Sequence, residues 1–156
     1  MQLMIMRHGE AEPTFRDDAN RKLTTQGFIE AQQGGVWLKQ KVDSIDYAIV
    51  SPFIRAQQTH EMVASIVTFG HTETSAEITP SGVPSSVHDY IDGLIASNPN
   101  INSLILVSHM PLVTYLLDSF TRKMESRMFC TGGIACLDYQ GAGQSAVVTD
   151  FFTPNQ

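Results

Sequence analysis

The sequence predicts an α/β fold: a single three-layer sandwich, with a mostly parallel central sheet flanked by helices and an antiparallel hairpin at the C-terminal end. Three observations lead there. Short apolar runs alternate with stretches of helical spacing through most of the chain, as βα units require. The clearest run, Ser103-Leu-Ile-Leu-Val107, has no polar break after its first residue, which suits a strand buried on both faces. The last part of the chain carries instead two strand-like segments around the turn Gln140-Gly-Ala-Gly143. At 156 residues, 42% of them hydrophobic, residues 1–156 have the size of one domain and the material for one core.

The elements follow in order. Leu3 to Met6 is an apolar run that stops abruptly at Arg7-His8-Gly9, so it reads as a buried strand ending in a polar loop. Ala11 to Lys22 shows no periodicity and reads as loop. Thr24 or Thr25 is an N-cap for a helix from Gln26 to Gln40, in which Phe28, Ala31, Gly35 and Leu38 share one face. Its Gly34-Gly35 pair costs about 1 kcal/mol per glycine against alanine, which close approach to the sheet would offset. Tyr47 to Val50 is a second strand. Ser51 as N-cap and Pro52 at the first helical position open a helix whose buried face is Phe53, Ala56, Met62, Val63 and Ile66, ended by Gly70 and the threonines behind it. Ser75 to Thr79 is a weak strand, and Ser85 to Ser97 an amphipathic helix. After Ser103 to Val107 comes a helix through Leu112, Leu116, Leu117 and Phe120. Met124 to Thr131 is loop. Gly133 to Tyr139 and Ala146 to Phe152 form the closing hairpin.

Net charge and composition exclude several roles. A formal charge of -6 argues against non-specific nucleic-acid binding, which needs a basic face. No window reaches the ~18 apolar residues of a membrane span. Met1 to Met6 is too short for a signal-peptide core and is followed by charge. The two cysteines, Cys130 and Cys136, read as reduced core thiols of a cytoplasmic protein.

Chemistry gathers where strands end. The first strand ends in Arg7-His8, the second in Ser51 with Arg55 one helical turn on, and the third in Ser108-His109. If these strands are parallel neighbours, two histidines and two arginines meet at one carboxyl edge, where open α/β sheets bind ligands. Helix N-termini favour anions, and arginine forks suit phosphate oxygens. The ligand this implies is a phosphate or phosphoryl group. Each residue also has a plainer reading: a histidine after a strand as a satisfied structural group, Arg55 as a solvated helix arginine, Glu10 and Glu12 as solvated loop carboxylates. His60, His71 and His88 fall in polar surroundings and read as surface residues. A metal set of His8, Glu10 and His109 is the competing site reading, although no zinc-type spacing is present. The joint placement of His8, Arg55 and His109 favours the anion site, with no metal and no cofactor.

These residues carry a resemblance. Arg7-His8-Gly9, then Leu23-Thr24-Thr25-Gln26-Gly27 with Ala31-Gln32, then Ser51-Pro52-Phe53-Ile54-Arg55-Ala56-Gln57-Gln58-Thr59, then Ser108-His109-Met110-Pro111 are similar, in this order, to the motifs of the histidine phosphatase (phosphoglycerate mutase-like) superfamily. Along nearly the whole chain the pattern resembles its SixA-type phosphohistidine phosphatases. The resemblance implies a phosphoglycerate mutase-like fold and a phosphatase with a histidine nucleophile. His8 would take the phosphoryl group on a ring nitrogen. Arg7, Arg55 and His109 would hold its oxygens, Arg21 would lie at the rim, and water would release phosphate. A neutral imidazole among cations fits that role, because like charge lowers its pKa.

Two departures from the larger members stand out. They place an Asn shortly after Arg-His-Gly, where Thr14 and its neighbours offer none. They also carry a long helical insertion, with a glutamate as general acid, after the second motif. This chain has only a short segment there, and Glu77 is the nearest acid. The implied substrate is therefore a protein: the phosphorylated histidine-containing phosphotransfer domain of a signalling protein. The alternatives are a phosphatase of small phosphate esters and a non-catalytic phosphoprotein-binding module.

Overall fold

The computed structural model describes residues 1–13 and 16–155, so Thr14 lies outside the described residues. In order, the elements are β1 (Gln2–Arg7), α1 (Thr25–Lys41), β2 (Ser44–Val50), α2 (Ile54–Ala64), β3 (Thr68–Thr74), α3 (Pro84–Ser97), β4 (Ser103–Ser108), α4 (Leu112–Thr121), β5 (Ile134–Asp138) and β6 (Val147–Phe152). Short 3-10 turns occupy Asp18–Asn20 and Ala76–Ile78. The six strands form one sheet in the order β3-β2-β4-β1-β5-β6. The first four of these are parallel, and β5 and β6 run antiparallel.

Successive side chains of a strand face opposite sides of a sheet, and β1 shows why it reads as apolar throughout. Leu3 and Ile5 enter one core with Leu104 and Leu106 of β4, Val87 and Ile91 of α3, and Leu116 and Phe120 of α4. Met4 and Met6 enter a second core with Ile105 and Val107 of β4, Leu38 of α1, and Ala56 and Val63 of α2. The sheet therefore has α1 and α2 on one face and α3 and α4 on the other, the three layers expected. Thr24 caps α1, its side chain accepting from the Gly27 N–H. A Cβ on Gly34 would lie 3.2 Å from Met6 and Ile134 of the sheet, whereas one on Gly35 would lie 2.9 Å from Ile66 and 3.4 Å from Val63 of α2. The two glycines thus serve sheet and helix contacts separately.

Three local expectations need correction. The strand beside β2 is Thr68–Thr74, which includes Gly70, and not Ser75 to Thr79, which holds the 3-10 turn. As an edge strand, β3 keeps most of its polar side chains exposed, so it lacks an apolar period. Helix α2 begins at Ile54, with Phe53 rather than Ser51 as N-cap. Cys136 is partly buried in β5, where burial raises its thiol pKa to about 12, but Cys130 is exposed and is not a core thiol. No helix among the described residues is long and apolar enough to cross a membrane.

Candidate active site

Parallel pairing brings three strand ends together. Arg7 of β1 stands opposite Ser108 of β4, and Val107 of β4 opposite Val50 of β2. The ladder continues one step past each strand: His8 N–H donates to Ser108 O at 3.0 Å and Ser51 N–H to Val107 O at 3.1 Å. His8, Ser51 and His109 therefore leave the sheet side by side.

The loop after His8 is pinned by the first turn of α1. A Cβ on Gly9 would lie 2.4 Å from the Gly27 carbonyl oxygen, and one on Gly27 would lie 2.1 Å from that of Glu10. Only two glycines allow the backbones to approach this closely. The Arg-His-Gly and Leu-Thr-Thr-Gln-Gly motifs are thus two halves of one joint. The buried carboxylate of Glu30 reinforces it: Oε1 accepts from Glu10 N–H at 2.8 Å and Oε2 from Thr131 Oγ1 at 3.1 Å. From α2, Thr59 Oγ1 accepts from Gly9 N–H at 3.0 Å and donates to Arg55 O at 2.7 Å.

This joint fixes the tautomer of His8. Gly9 O lies 2.7 Å from Nδ1. A carbonyl oxygen only accepts, so Nδ1 carries the hydrogen and Nε2 keeps its lone pair. Nε2 lies 3.2 Å from Arg55 Nε–H. The imidazole is only 6% exposed. Burial, opposed by the Gly9 hydrogen bond but helped by the charges of Arg55, Arg7 and Arg21, holds its pKa down at about 3. At neutral pH His8 is uncharged.

His109 is fully buried, its ring 5.0 Å from that of His8. Its Nε2 lies 2.7 Å from Ser51 Oγ, and the ring of Phe53 meets it edge-on at 5.1 Å. Ser51 Oγ also accepts from Phe53 N–H at 3.3 Å, so one hydroxyl joins the turn before α2 to His109. Burial first, then His8 and Arg55, push the His109 pKa down as well. Arg7 donates from Nη1 to Phe129 O at 2.7 Å. Arg7 Nε and His109 Nδ1 are buried and find no partner within the described protein.

Arg55, buried at 3% exposure, makes hydrogen bonds from all three of its guanidinium nitrogens. Besides Nε–H on His8, Nη1 donates to Asp18 O at 2.6 Å and Nη2 to Asp18 Oδ2 at 3.1 Å. Arg21 reaches the same carboxylate, Nη1 to Asp18 Oδ1 at 2.9 Å, and fixes itself through Nε on Glu12 O at 2.6 Å. Arg21 therefore stands at the rim, joined to Arg55 through Asp18.

The structure thus brings Arg7, His8, Arg55 and His109 together, with Arg21 alongside. Glu77 is exposed. Its turn is anchored next to His109 by Ser108 Oγ, which donates to Ile78 O at 2.7 Å, yet among the described contacts its carboxylate reaches none of the four. Glu10 accepts from Thr24 Oγ1 at 3.0 Å. Among the described residues no three His, Cys, Asp or Glu side chains converge, so His8, Glu10 and His109 do not form a ligand set. Of the three histidines expected at the surface, only His71 is exposed. His60 is buried with its ring edge-on to Phe69 at 4.7 Å, and His88 is half-buried between helices.

Three contributors escaped the sequence reading. Thr59 is quoted in the motif but shows no role until α2 turns it toward Gly9. Glu30 lies on the same side of α1 as Gly27, Ala31 and Gly34, all buried, and a carboxylate at that spacing was the one available signal. Asp18 sits in an aperiodic loop and gave none.

A three-layer sheet with paired histidines and arginines at its carboxyl edge defines the class: the chain belongs to the histidine phosphatase superfamily (branch 1), whose family model matches residues 3–79. Among its relatives are the phosphohistidine phosphatase SixA of Escherichia coli strain K12, 38% identical over 92% of this chain and 89% of that protein. A SixA homolog of Haemophilus influenzae is 35% identical over 90% of each. A solved structure of the protein histidine phosphatase SixA complexed with tungstate superposes with a TM-score of 0.90 at 36% identity, covering 99% of this chain and 97% of that one.

Proposed function

We propose that this chain is a phosphohistidine phosphatase with His8 as its nucleophile, acting on a phosphohistidine carried by a partner protein. Kinship with phosphohistidine phosphatases along nearly the whole chain supports the activity. One observation carries the role of His8: a buried, uncharged imidazole whose Nδ1–H is held by Gly9 O, leaving the Nε2 lone pair facing Arg55.

The chemistry follows from that nitrogen. The Nε2 lone pair attacks phosphorus, the phosphorus–nitrogen bond of the substrate breaks, and the departing imidazole takes up a proton from solvent water while His8 keeps its Nδ1–H on Gly9 O. Arg55, Arg7 and His109 stabilise charge on the phosphoryl oxygens. Such preorganised donors supply the greater part of the rate enhancement in many enzymes. Arg7 Nε and His109 Nδ1, buried without protein partners, are donors of the sort a phosphoryl oxygen would satisfy. Water then attacks phosphorus, the bond to His8 Nε2 breaks, the lone pair returns and phosphate leaves. A histidine leaving group has a pKa near neutrality, so it needs little from an acid, and Glu77 at the rim is at most an assistant.

The partner we favour is the histidine-containing phosphotransfer domain of a two-component signalling protein, met in the cytoplasm. Residues 1–156 act as one domain without a large capping insertion, since α2 and α3 are joined by β3, one 3-10 turn and short connections. A site with that surround gains little binding energy from the non-reacting parts of a small ester, whereas a protein substrate adds contacts outside the pocket. The test is a comparison of purified enzyme on a phosphorylated phosphotransfer domain and on a panel of sugar phosphates. We expect kcat/KM to favour the phosphoprotein by about 10³-fold or more. Equal values would overturn the protein-substrate reading in favour of small esters.

A further inference from the structure

We propose that Asp18 is a built-in competitor for the phosphoryl group, an internal anion that holds Arg55 and Arg21 between turnovers and weakens the site for free phosphate. The proposal rests on the phosphoryl-site reading above. It starts from the way Arg55 is shared. Its Nε serves His8, while Nη1 and Nη2 each give one hydrogen bond to Asp18, through the backbone carbonyl and the carboxylate. The second carboxylate oxygen is taken by Arg21. One exposed aspartate thus occupies the outward edge of Arg55 and the reaching edge of Arg21 at once.

A phosphoryl group on His8 Nε2 would approach the same guanidinium from its Nε side, since Nε2 is only 3.2 Å from Arg55 Nε, while Asp18 holds Nη1 and Nη2. Two anions cannot share one guanidinium fork without mutual repulsion. The two partners differ in how firmly they are held. Arg55 is buried, fixed by α2, whereas the Asp18 side chain is 54% exposed. It lies on a single 3-10 turn that has no side-chain cap and no buried residue. Asp18 is therefore the side that yields.

The consequence is a uniform reduction of binding. Any ligand that needs the fork binds only to the fraction of molecules in which Asp18 has withdrawn, and its apparent affinity falls by that fraction. Losing uniform binding raises KM without helping kcat. It benefits a phosphatase in another way: the product, inorganic phosphate, is expelled as the carboxylate returns, and ambient phosphate does not fill the site.

The test is calorimetric titration of inorganic phosphate and of tungstate into the full chain, as wild type, Asp18→Asn, Asp18→Ala and Asp17→Asn. Calorimetry needs no turnover, so it reads the competition independently of whether the substrate is correctly identified. Asp18→Asn and Asp18→Ala should each bind both anions about tenfold more tightly, with a parallel fall in KM and in phosphate inhibition constant and no gain in kcat. Asp17→Asn removes the same charge one residue away and should change affinity less than about twofold. Unchanged or weaker binding in the Asp18 variants would overturn the proposal and make Asp18 a positioning residue for Arg55. Equal tightening by Asp17→Asn would overturn it in favour of a general surface field. Binding of neither anion by any of the four would remove the phosphoryl-site reading, and this proposal with it.

Discussion

The molecule contains two histidine clusters that differ in one respect, the satisfaction of their nitrogens. At the carboxyl edge, His8 and His109 stand among arginines. His8 Nε2 meets only a donor, and His109 Nδ1 finds no hydrogen-bond partner among the described residues. Between α3 and α4, His88 has every need met. Its Nδ1 lies 2.7 Å from Ser119 Oγ and its Nε2 3.0 Å from Tyr139 OH. Asp92 Oδ2 is 3.5 Å from the same Nε2, and the Phe120 ring lies 4.1 Å away. Serine, histidine and aspartate side by side suggest a hydrolytic triad, yet Ser119 lies inside α4, where the backbone N–H groups are committed to the helix and form no oxyanion hole. A histidine poised for chemistry is the one left incomplete, and the completed one holds helices together.

The sharpest way to break this contrast is to remove the nucleophile. His8→Ala should abolish turnover, and the phosphoenzyme should vanish with it. In the wild type that adduct should be acid-labile and alkali-stable, as a phosphoramidate is. Label found on any other residue, His88 included, would refute the assignment.

Removing the groups around it should cost less. Loss of one preorganised donor typically lowers the rate about 10²–10³-fold. Arg55→Ala and His109→Ala should each fall in that range with circular dichroism unchanged. Near-wild-type kcat/KM in either variant would take that residue out of the site.

How far these features were legible depended on whether the signal was local. Strand β4 was plain because both its faces are buried, leaving an unbroken apolar run. Its neighbour at the sheet edge, β3, was not, because Thr68, His71 and Thr72 face solvent and mimic a loop. His8, Arg55 and His109 were legible because each follows a strand end, and parallel pairing converts that position into proximity. Asp18 and Glu30 were not, because their partners lie far along the chain: Arg55 for the one, Thr131 for the other. Ser51 was misread for a related reason. Its hydroxyl looks like a helix cap in sequence and does accept from Phe53 N–H, but the helix begins only at Ile54, and only the fold adds His109 as a partner. His88 was misread as a surface group because a polar neighbourhood in sequence does not reveal two helices closing around it.

Acid should sharpen the contrast through stability. In the unfolded chain an imidazole titrates near 6.5, whereas native His8 does so at about 3, and His109 and His60 are also depressed. Between those limits the unfolded chain binds protons that the native state refuses. Stability should therefore be full above pH 6.5 and decline as pH falls toward 3, by up to about 1.4 kcal/mol per pH unit for each such histidine. Urea unfolding at a series of pH values measures this slope, and His109→Gln should flatten it. A slope identical in wild type and variant would show that His109 is not buried in neutral form.

The smallest effect tests the completed cluster. His88→Gln removes an imidazole that ties α3 to Ser119 of α4 and to Tyr139, which follows β5. Tyr139 itself is fully buried, but its hydroxyl donates to Asp92 as well and is not orphaned by the change. The loss is then one or two hydrogen bonds and a ring contact, about 1–2 kcal/mol, and not the larger penalty of a stranded buried group. Its distance from the chemistry follows from the sheet. Tyr139 N–H bonds to Met1 O at the start of β1, whereas His8 follows its end, about 20 Å away at the rise of an extended strand. The variant should unfold at lower urea with an unchanged slope against denaturant, and its kcat/KM should stay within about twofold of wild type. A large fall in kcat with unchanged stability would mean that His88 takes part in the reaction, and satisfaction of ring nitrogens would then no longer separate a structural histidine from a catalytic one in this protein.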